Sequence, residues 1–312
     1  MAEVIDKAIG VYHFLSDAVP NNIPLVEPKP RAVNPWRRDG KTIVARTMAS
    51  HDIRASLDKT IGLLGNLSAA IKSGDRVMVK PNFNSPDPPP ASTDLPFLRS
   101  VIELLKDAGA RVTVGESAGG IWRPTRNVFE KVGLYELVRQ LGVELIAFDD
   151  KPHEWVKVKV NGDYLKTVTM PRSAYEADTM VYVPCMKTHM LARYTGALKI
   201  AVGFMHPGER RAFHMGNLEQ KVAEISLCWQ PDLILMDGRK VFVAGGPDKG
   251  KLEEPGVVLA SGNLVAIDVE AMKILLSYKA ANRLNADPWQ SEQIATALKH
   301  KLGTKDDYIV VE

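Results

Sequence analysis

The chain has 312 residues, 45% hydrophobic and 25% charged, with a formal net charge of +3. That length is ample for a buried core, and so even a balance argues against nucleic acid, which calls for a basic stripe. Two cysteines, Cys185 and Cys228, stand far apart with no CxxC pair. They exclude a four-cysteine iron–sulfur cluster within the chain and suggest no disulfide framework, so a reducing cytoplasm is the expected compartment.

Residues 1–41 read as an N-terminal helix and an extended arm. The start lacks the basic and apolar regions of an export signal, and PNNIPLVEPKPRAVNPWRRDGK (20–41) is rich in Pro and Asn. Residues 42–312 read as a single α/β domain. IVART opens it as a strand. In HDIRASLDKTIGLLGNL, Ile53, Leu57, Ile61 and Leu64 share one helical face. RVMVKPNF is a strand that stops at Pro81, and DPPP (87–90) is a rigid loop. Asp94 caps the helix LPFLRSVIELLKDAG, which ends on Gly109. RVTVGES is a strand running into the small-residue loop SAGG. Two helical stretches, TRNVFEKVG and YELVRQLG, precede the strand VELIAFDD.

The stretch WVKVKVNGDYLKTVTM breaks this rhythm. Val156, Val158 and Val160 alternate with polar residues before an Asn161-Gly162 turn, so a β-hairpin insertion is expected over about 152–172. DTMVYVPCMK returns to a buried strand, and TGALKIAVGF is helical. Then come the helix GNLEQKVAEISLCW, the strands DLILMDG and GVVLAS, the helices NLVAIDVEAMKILLSYK and SEQIATALKHK, and the strand YIVVE. No apolar run approaches the ~18 residues of a membrane span, so no membrane partner is expected. The expected fold is α/β: a mostly parallel, Rossmann-like sheet with helices on both faces, plus the hairpin.

Ligands of open α/β sheets bind beyond the carboxyl ends of the strands. The residues following each strand are therefore candidates. Asn82 and Asn84 follow RVMVK; taken alone they serve equally well as strand terminators. Glu116 and Ser117 follow RVTVG, with Gly119 and Gly120 beyond. Lys187, Thr188 and His189 follow VYVPCM. Asp237 follows LILM, with GGPDKG (245–250) further on.

The stretch Lys187 to His214 holds three of the seven histidines and five Lys or Arg residues against one acid, Glu209. Lys199 sits within the apolar run ALKIAV. There a lysine either snorkels to water or is desolvated, and desolvation lowers an amine's pKa. Arg210 and Arg211 are either solvated charge or an anion clamp. Cys185 reads as a core residue.

At these positions the chain resembles domain-of-unknown-function family 362. The motifs are KPNFN (80–84), STDLPFLRSVIELLKDAGA (92–110), VGES (114–117), KTH (187–189), TGALK (195–199), FH (213–214), MDG (236–238), GGPDKG and LASGNLVAIDVEAMKIL (259–275). The resemblance implies a fold more than an activity. Many members carry an appended ferredoxin-type cluster domain, which implies a redox association that two cysteines cannot support here. The pattern His189-x9-Lys199-x14-His214 is also similar to the nickel-pincer lactate racemases. That resemblance implies Lys199 as cofactor anchor, His214 as metal ligand and His189 as acid–base.

The residues support an enzyme of proton or hydride transfer at carbon, an isomerase, epimerase or oxidoreductase acting on a small anionic molecule, a carboxylate or phosphate. His189, Lys199 and Asp237 would be catalytic. Asn82, Asn84, Glu116, Ser117, Lys187, Thr188 and Arg210 would bind the ligand. Two other readings stand beside it. One is a non-catalytic anion-binding or redox-accessory module. The other is a metal-dependent racemase in which a metal ion on His214, with His189 and Asp237, is the cofactor. A homodimer is the expected assembly on base rates.

Overall fold

The structure is a computed structural model and describes residues 19–30, 33–118, 124–150 and 154–312. The expected helix near the N-terminus and the glycines Gly119 and Gly120 lie outside these residues. In chain order the strands and helices are β1 (Leu25–Val26), β2 (Arg37–Arg38), β3 (Lys41–Met48), α1 (Ile53–Leu64), β4 (Arg76–Lys80), α2 (Leu95–Asp107) and β5 (Arg111–Glu116). Next come α3 (Thr125–Val132), α4 (Leu134–Leu141), β6 (Glu144–Ala147), β7 (Trp155–Lys159), β8 (Thr167–Pro171) and the single turn α5 (Arg172–Tyr175). Then follow β9 (Thr179–Tyr182), β10 (Cys185–His189), β11 (Arg193–Thr195), α6 (Ala197–Ile200), α7 (Pro207–Phe213) and α8 (Leu218–Glu224). The last are β12 (Leu233–Gly245), β13 (Gly250–Glu253), β14 (Val257–Ser261), α9 (Leu264–Leu276), α10 (Glu292–Lys299) and β15 (Tyr308–Val311).

The main sheet runs β15-β3-β14-β12-β9-β4-β5-β6. The stretch β12-β9-β4-β5-β6 is parallel throughout, whereas β14 is antiparallel to both β3 and β12. Side chains alternate across each strand, so neighbouring residues feed opposite cores. Met78, Met180, Tyr182, Ile234 and Met236 join the core that holds α6 and α9. Val77, Val79, Val181, Leu233 and Leu235 join the one that holds α1, α2 and α4. This is the expected α/β class, a largely parallel sheet covered on both faces.

Helix starts follow their capping residues. Asp52, Asp94 and Asn263 each accept a backbone N–H of the first turn of α1, α2 and α9. β7 and β8 pair antiparallel as the hairpin, and β1 adds to β7 in parallel to make a small second sheet. The described part of the arm, 19–30 and 33–41, packs on its own chain. Lys29 N donates to Cys228 O at 3.0 Å, and Trp36 is buried.

Two departures from the expected strands shape the site. The run VYVPCMK is two strands, because Pro184 lacks the N–H a ladder needs. β9 stays in the main sheet, while β10 swings out to pair with the far half of β12 and with β11. β12 is 13 residues long and continues past Asp237 to Gly245. Asp237 is thus mid-strand rather than at a strand end.

Candidate functional site

The carboxyl ends of β4, β5 and β10 meet α6 and α7 in one cleft. Its walls include Lys80, Asn82, Asn84, Glu116, Lys187, His189 and Thr195 from the strand side, and Lys199 and Arg210 from the helix side. Ser117 and Pro247 also line it. About 50 Å³ of this partly open cleft admits the centre of a water-sized sphere, where ~10–15 Å³ suffices for one water, so it has room for a carboxylate- or phosphate-sized group.

Four cations converge here, and they are held differently. Lys80 ends β4 and is 1% exposed. Its Nζ donates to Glu116 Oε1 on the adjacent strand at 2.5 Å and to Pro81 O at 2.8 Å, and it stands 5.5 Å from the Phe204 ring centroid. Glu116 also accepts from Ser117 N and Phe83 N, so both its oxygens are engaged. Lys187, equally buried, donates to Asn82 Oδ1 and Ala91 O. Burial pulls both amines below their usual pKa.

Arg210 uses its whole guanidinium on the protein. Nε donates to Met205 O, Nη1 to Ala118 O and Ser117 O, and Nη2 to Ser117 Oγ and Gly203 O. It ties α7 to the end of β5. Its charge faces the cleft, but its donors are taken.

Lys199 is the exception. Among the described residues its ammonium has neither a hydrogen-bond nor an ion-pair partner. Burial lowers its pKa to about 8, reinforced by the charges of Lys187, Arg210 and Lys80 and opposed by Asp248. Its turn is fixed from beneath. Asp268, fully buried in α9, accepts Ala197 N at 2.7 Å and Leu198 N at 2.9 Å, and Tyr194 Oη donates to it at 3.2 Å. Gly196 has no room for a side chain, because a Cβ there would overlap Asp268 and Tyr194.

His189 has a defined tautomer. Its Nδ1 accepts from Leu191 N at 3.0 Å and Ala192 N at 3.1 Å. A nitrogen that accepts two amides carries no proton, so the neutral ring holds its proton on Nε2. Burial, then the charges of Lys199 and Lys187, push its pKa far below the usual histidine value. The imidazole is a neutral donor at neutral pH.

Thr195 stands directly across the β10–β11 ladder from Lys187. It is 4% exposed, and its Oγ1 has no hydrogen-bond partner among the described residues. A buried hydroxyl without a partner is costly, and a ligand in the cleft would supply one.

Of the expected site residues, the structure brings together Asn82, Asn84, Glu116, Ser117, Lys187, His189, Lys199 and Arg210. It does not bring in three others. Thr188 lies on the opposite face of β10 from its two neighbours, and its Oγ1 donates to Phe242 O. Asp237 is bonded to Arg239, which also pairs with Asp94, in a separate 300 Å³ pocket beside Pro88 and Cys185. His214 caps α7, with Nδ1 2.7 Å from Arg210 O. No carboxylate or thiol pair joins it among the described residues. Among the described residues the one group of three clustered donors is Asp163, Glu224 and His300, elsewhere in the fold. His189, His214 and Asp237 thus do not gather as a three-ligand set among the described residues.

Lys80, Thr195 and Asp248 were not anticipated. Asp248 accepts from Asn84 Nδ2 at 3.2 Å, so the GGPDKG loop reaches the cleft through Pro247 and Asp248 rather than through Lys249, which is exposed. The legible signal for Lys80 was a lysine closing an apolar strand just before a proline.

Among the described residues no helix is long and apolar enough to cross a membrane. Solved structures similar to this chain include two from thermophilic bacteria. The lactate racemase apoprotein of Thermoanaerobacterium thermosaccharolyticum is 15% identical, with 68% of this chain and 52% of that one covered and a TM-score of 0.41. A Thermotoga maritima protein is 12% identical, with 72% and 58% covered and a TM-score of 0.46. The chain thus spans little more than half the length of either. A thylakoid-associated protein of Synechocystis sp. is 26% identical over 254 residues, 76% of this chain and 77% of that protein. The family described as "Domain of unknown function (DUF362)" matches residues 77–273, well over half of the sequence, and the chain belongs to that family.

Proposed function

We propose that the cleft is the active site of an enzyme that moves a proton at the carbon beside the acid group of a small carboxylate or phosphate. The observation that carries this reading is Lys199, an unpaired amine held among three other cations. Lys80 and Arg210 supply fixed positive charge, and Lys187 and Thr195 supply donors to the anion. At pH 7 about a tenth of Lys199 is unprotonated, given a pKa near 8, which suits a proton acceptor. His189 donates its Nε2–H to the oxygen that gains charge as an enolate forms. This role replaces the proton shuttle expected of it, because an imidazole with Nδ1 tied to two amides does not readily take a second proton. The reading includes a cytoplasmic location, in keeping with two buried free thiols.

The test is anion binding followed by isotope exchange. Phosphate, oxalate and short hydroxy acids are titrated by calorimetry, and the binders are then incubated in deuterated water. Binding lost in Lys187→Met, with carbon-bound deuterium uptake lost in Lys199→Met, supports the reading. If no anion binds, or if binding is indifferent to Lys187, the cleft is not an anion site.

A further inference from the structure

We propose that Lys199 forms an imine with small 2-oxo acids, so that the substrate class of the cleft is a carboxylate with a neighbouring carbonyl. This rests on the anion-binding reading above and adds a covalent step to it. The amine that accepts a proton from a saturated acid adds to a carbonyl when the acid offers one.

Three features of the cleft point to this chemistry. First, its lysines are unequal. Lys80 is engaged by Glu116 and Pro81 O, and Lys187 by Asn82 and Ala91 O. Lys199 is engaged by nothing among the described residues, and three of the four charges that act on it most are cations. A largely desolvated amine beside other cationic groups is the arrangement that raises a lysine's neutral, nucleophilic fraction. Second, the amine is pre-positioned. Asp268 holds the two amides that start its turn, and Gly196 leaves no slack between them. Third, the surrounding groups complement an oxo acid. Lys187 and the partnerless Thr195 hydroxyl face each other across the ladder and suit the two oxygens of a carboxylate. His189 offers Nε2–H to a carbonyl oxygen. The free space of the cleft admits an acid group and its neighbouring carbonyl.

In the step itself, the Nζ lone pair adds to the carbonyl carbon and the C=O π electrons move to oxygen. Nζ releases a proton to solvent, and the oxygen takes one up. The carbinolamine then expels water as the N–C bond becomes double. Amine and ketone give imine and water, with no oxidant or reductant consumed. Protonated from solvent, the imine withdraws electrons from the adjoining C–H or C–carboxylate bond.

The experiment uses the full chain with sodium pyruvate and sodium cyanoborohydride, read by intact mass and peptide mapping. Thermal shifts with pyruvate, oxalate and inorganic phosphate are measured alongside. The expected result is one carboxyethyl group per chain, on the peptide carrying Lys199. Oxalate should suppress it, Thr195→Val should reduce it several-fold at limiting pyruvate, and folded Lys199→Arg should lack it. Peptide mapping of the unmodified sequence identifies the labelled lysine whether or not the variants fold. If pyruvate raises the melting temperature but no adduct forms, or if label is spread over surface lysines and persists in Lys199→Arg, the imine is overturned and the anion cleft stands. If none of the three anions shifts the melting temperature and no adduct forms, both proposals fall.

Discussion

Asp268 and Lys199 lie on different elements and make no ion pair, yet one places the other. Both carboxylate oxygens of Asp268 are spent on the backbone amides of Ala197 and Leu198, which begin the turn that carries Lys199. In Asp268→Asn one of these acceptors becomes an NH2 facing an N–H. A buried amide left without an acceptor costs about 1–3 kcal/mol. The urea midpoint should fall accordingly, and any Lys199-dependent reaction should slow more than phosphate binding does.

These two residues also shape stability against pH. Burial raises Asp268 to about 7, above its unfolded value, so the folded state binds the extra proton between about pH 4 and 7 and stability falls across that range. Burial lowers Lys199 to about 8, so between about pH 8 and 10.5 the unfolded state binds the extra proton and stability rises. Together they make a trough between about pH 7 and 8. Lys199→Met should be more stable than the parent there, by on the order of 3 kcal/mol, with the gain vanishing by about pH 10.5. Urea titrations at three pH values check both limbs.

The Lys80–Glu116 pair is buried on both sides, with side-chain exposures of 1% and 3%. Glu116→Gln strands the Lys80 charge and should cost about 3–5 kcal/mol. Lys80→Met with Glu116→Gln should recover much of that loss. The double-mutant cycle, run by chemical denaturation, separates the pair's coupling from the packing of each residue.

Among the cleft's partnered cations, Lys187 is the most open to exchange for an anion, because its partners are neutral oxygens, Asn82 Oδ1 and Ala91 O. Lys187→Met should weaken phosphate binding about tenfold or more, since a charge-assisted hydrogen bond is worth ~1.5–3 kcal/mol. Calorimetry at two salt concentrations should show a reduced salt dependence in the variant.

Cys185 begins β10, close to the site, but burial pushes its thiol up to about 11 and leaves it 4% exposed. Iodoacetamide at pH 8 should leave it unmodified in the folded protein and label it at once in denaturant. Rapid labelling of the native state would mean that β10 opens far more readily than its packing allows.

Much of the fold was legible because its strands are short and apolar, its helices carry a periodic apolar face, and Asp94 marks the start of one of them. Strand limits were not legible where pairing, rather than composition, sets them. DLILMDG reads as ending near Asp237, yet β12 continues because β10, β13 and β14 all pair along it. That error moved Asp237 into the expected site. Thr188 was misplaced for a different reason. Adjacency in sequence put it with Lys187 and His189, whereas strand alternation puts it on the other face. Lys80 was passed over as the end of a core strand. Nothing in one sequence states that its partner, Glu116, ends the neighbouring strand. The role of His189 depends on the turn at Leu191 and Ala192, whose amides reach back to Nδ1, a contact that residue types do not show.

On the anion-binding reading, the cleft divides recognition into two jobs. Its lysines would answer to the charge common to a whole class of acids. What distinguishes one acid from another would then fall to the loop residues beside them, Asn84, Pro247 and Asp248. Redesign of selectivity would therefore begin in the 246–249 turn and the segment after Asn82. There, substitutions change which molecule fits without disturbing the charges that define its kind.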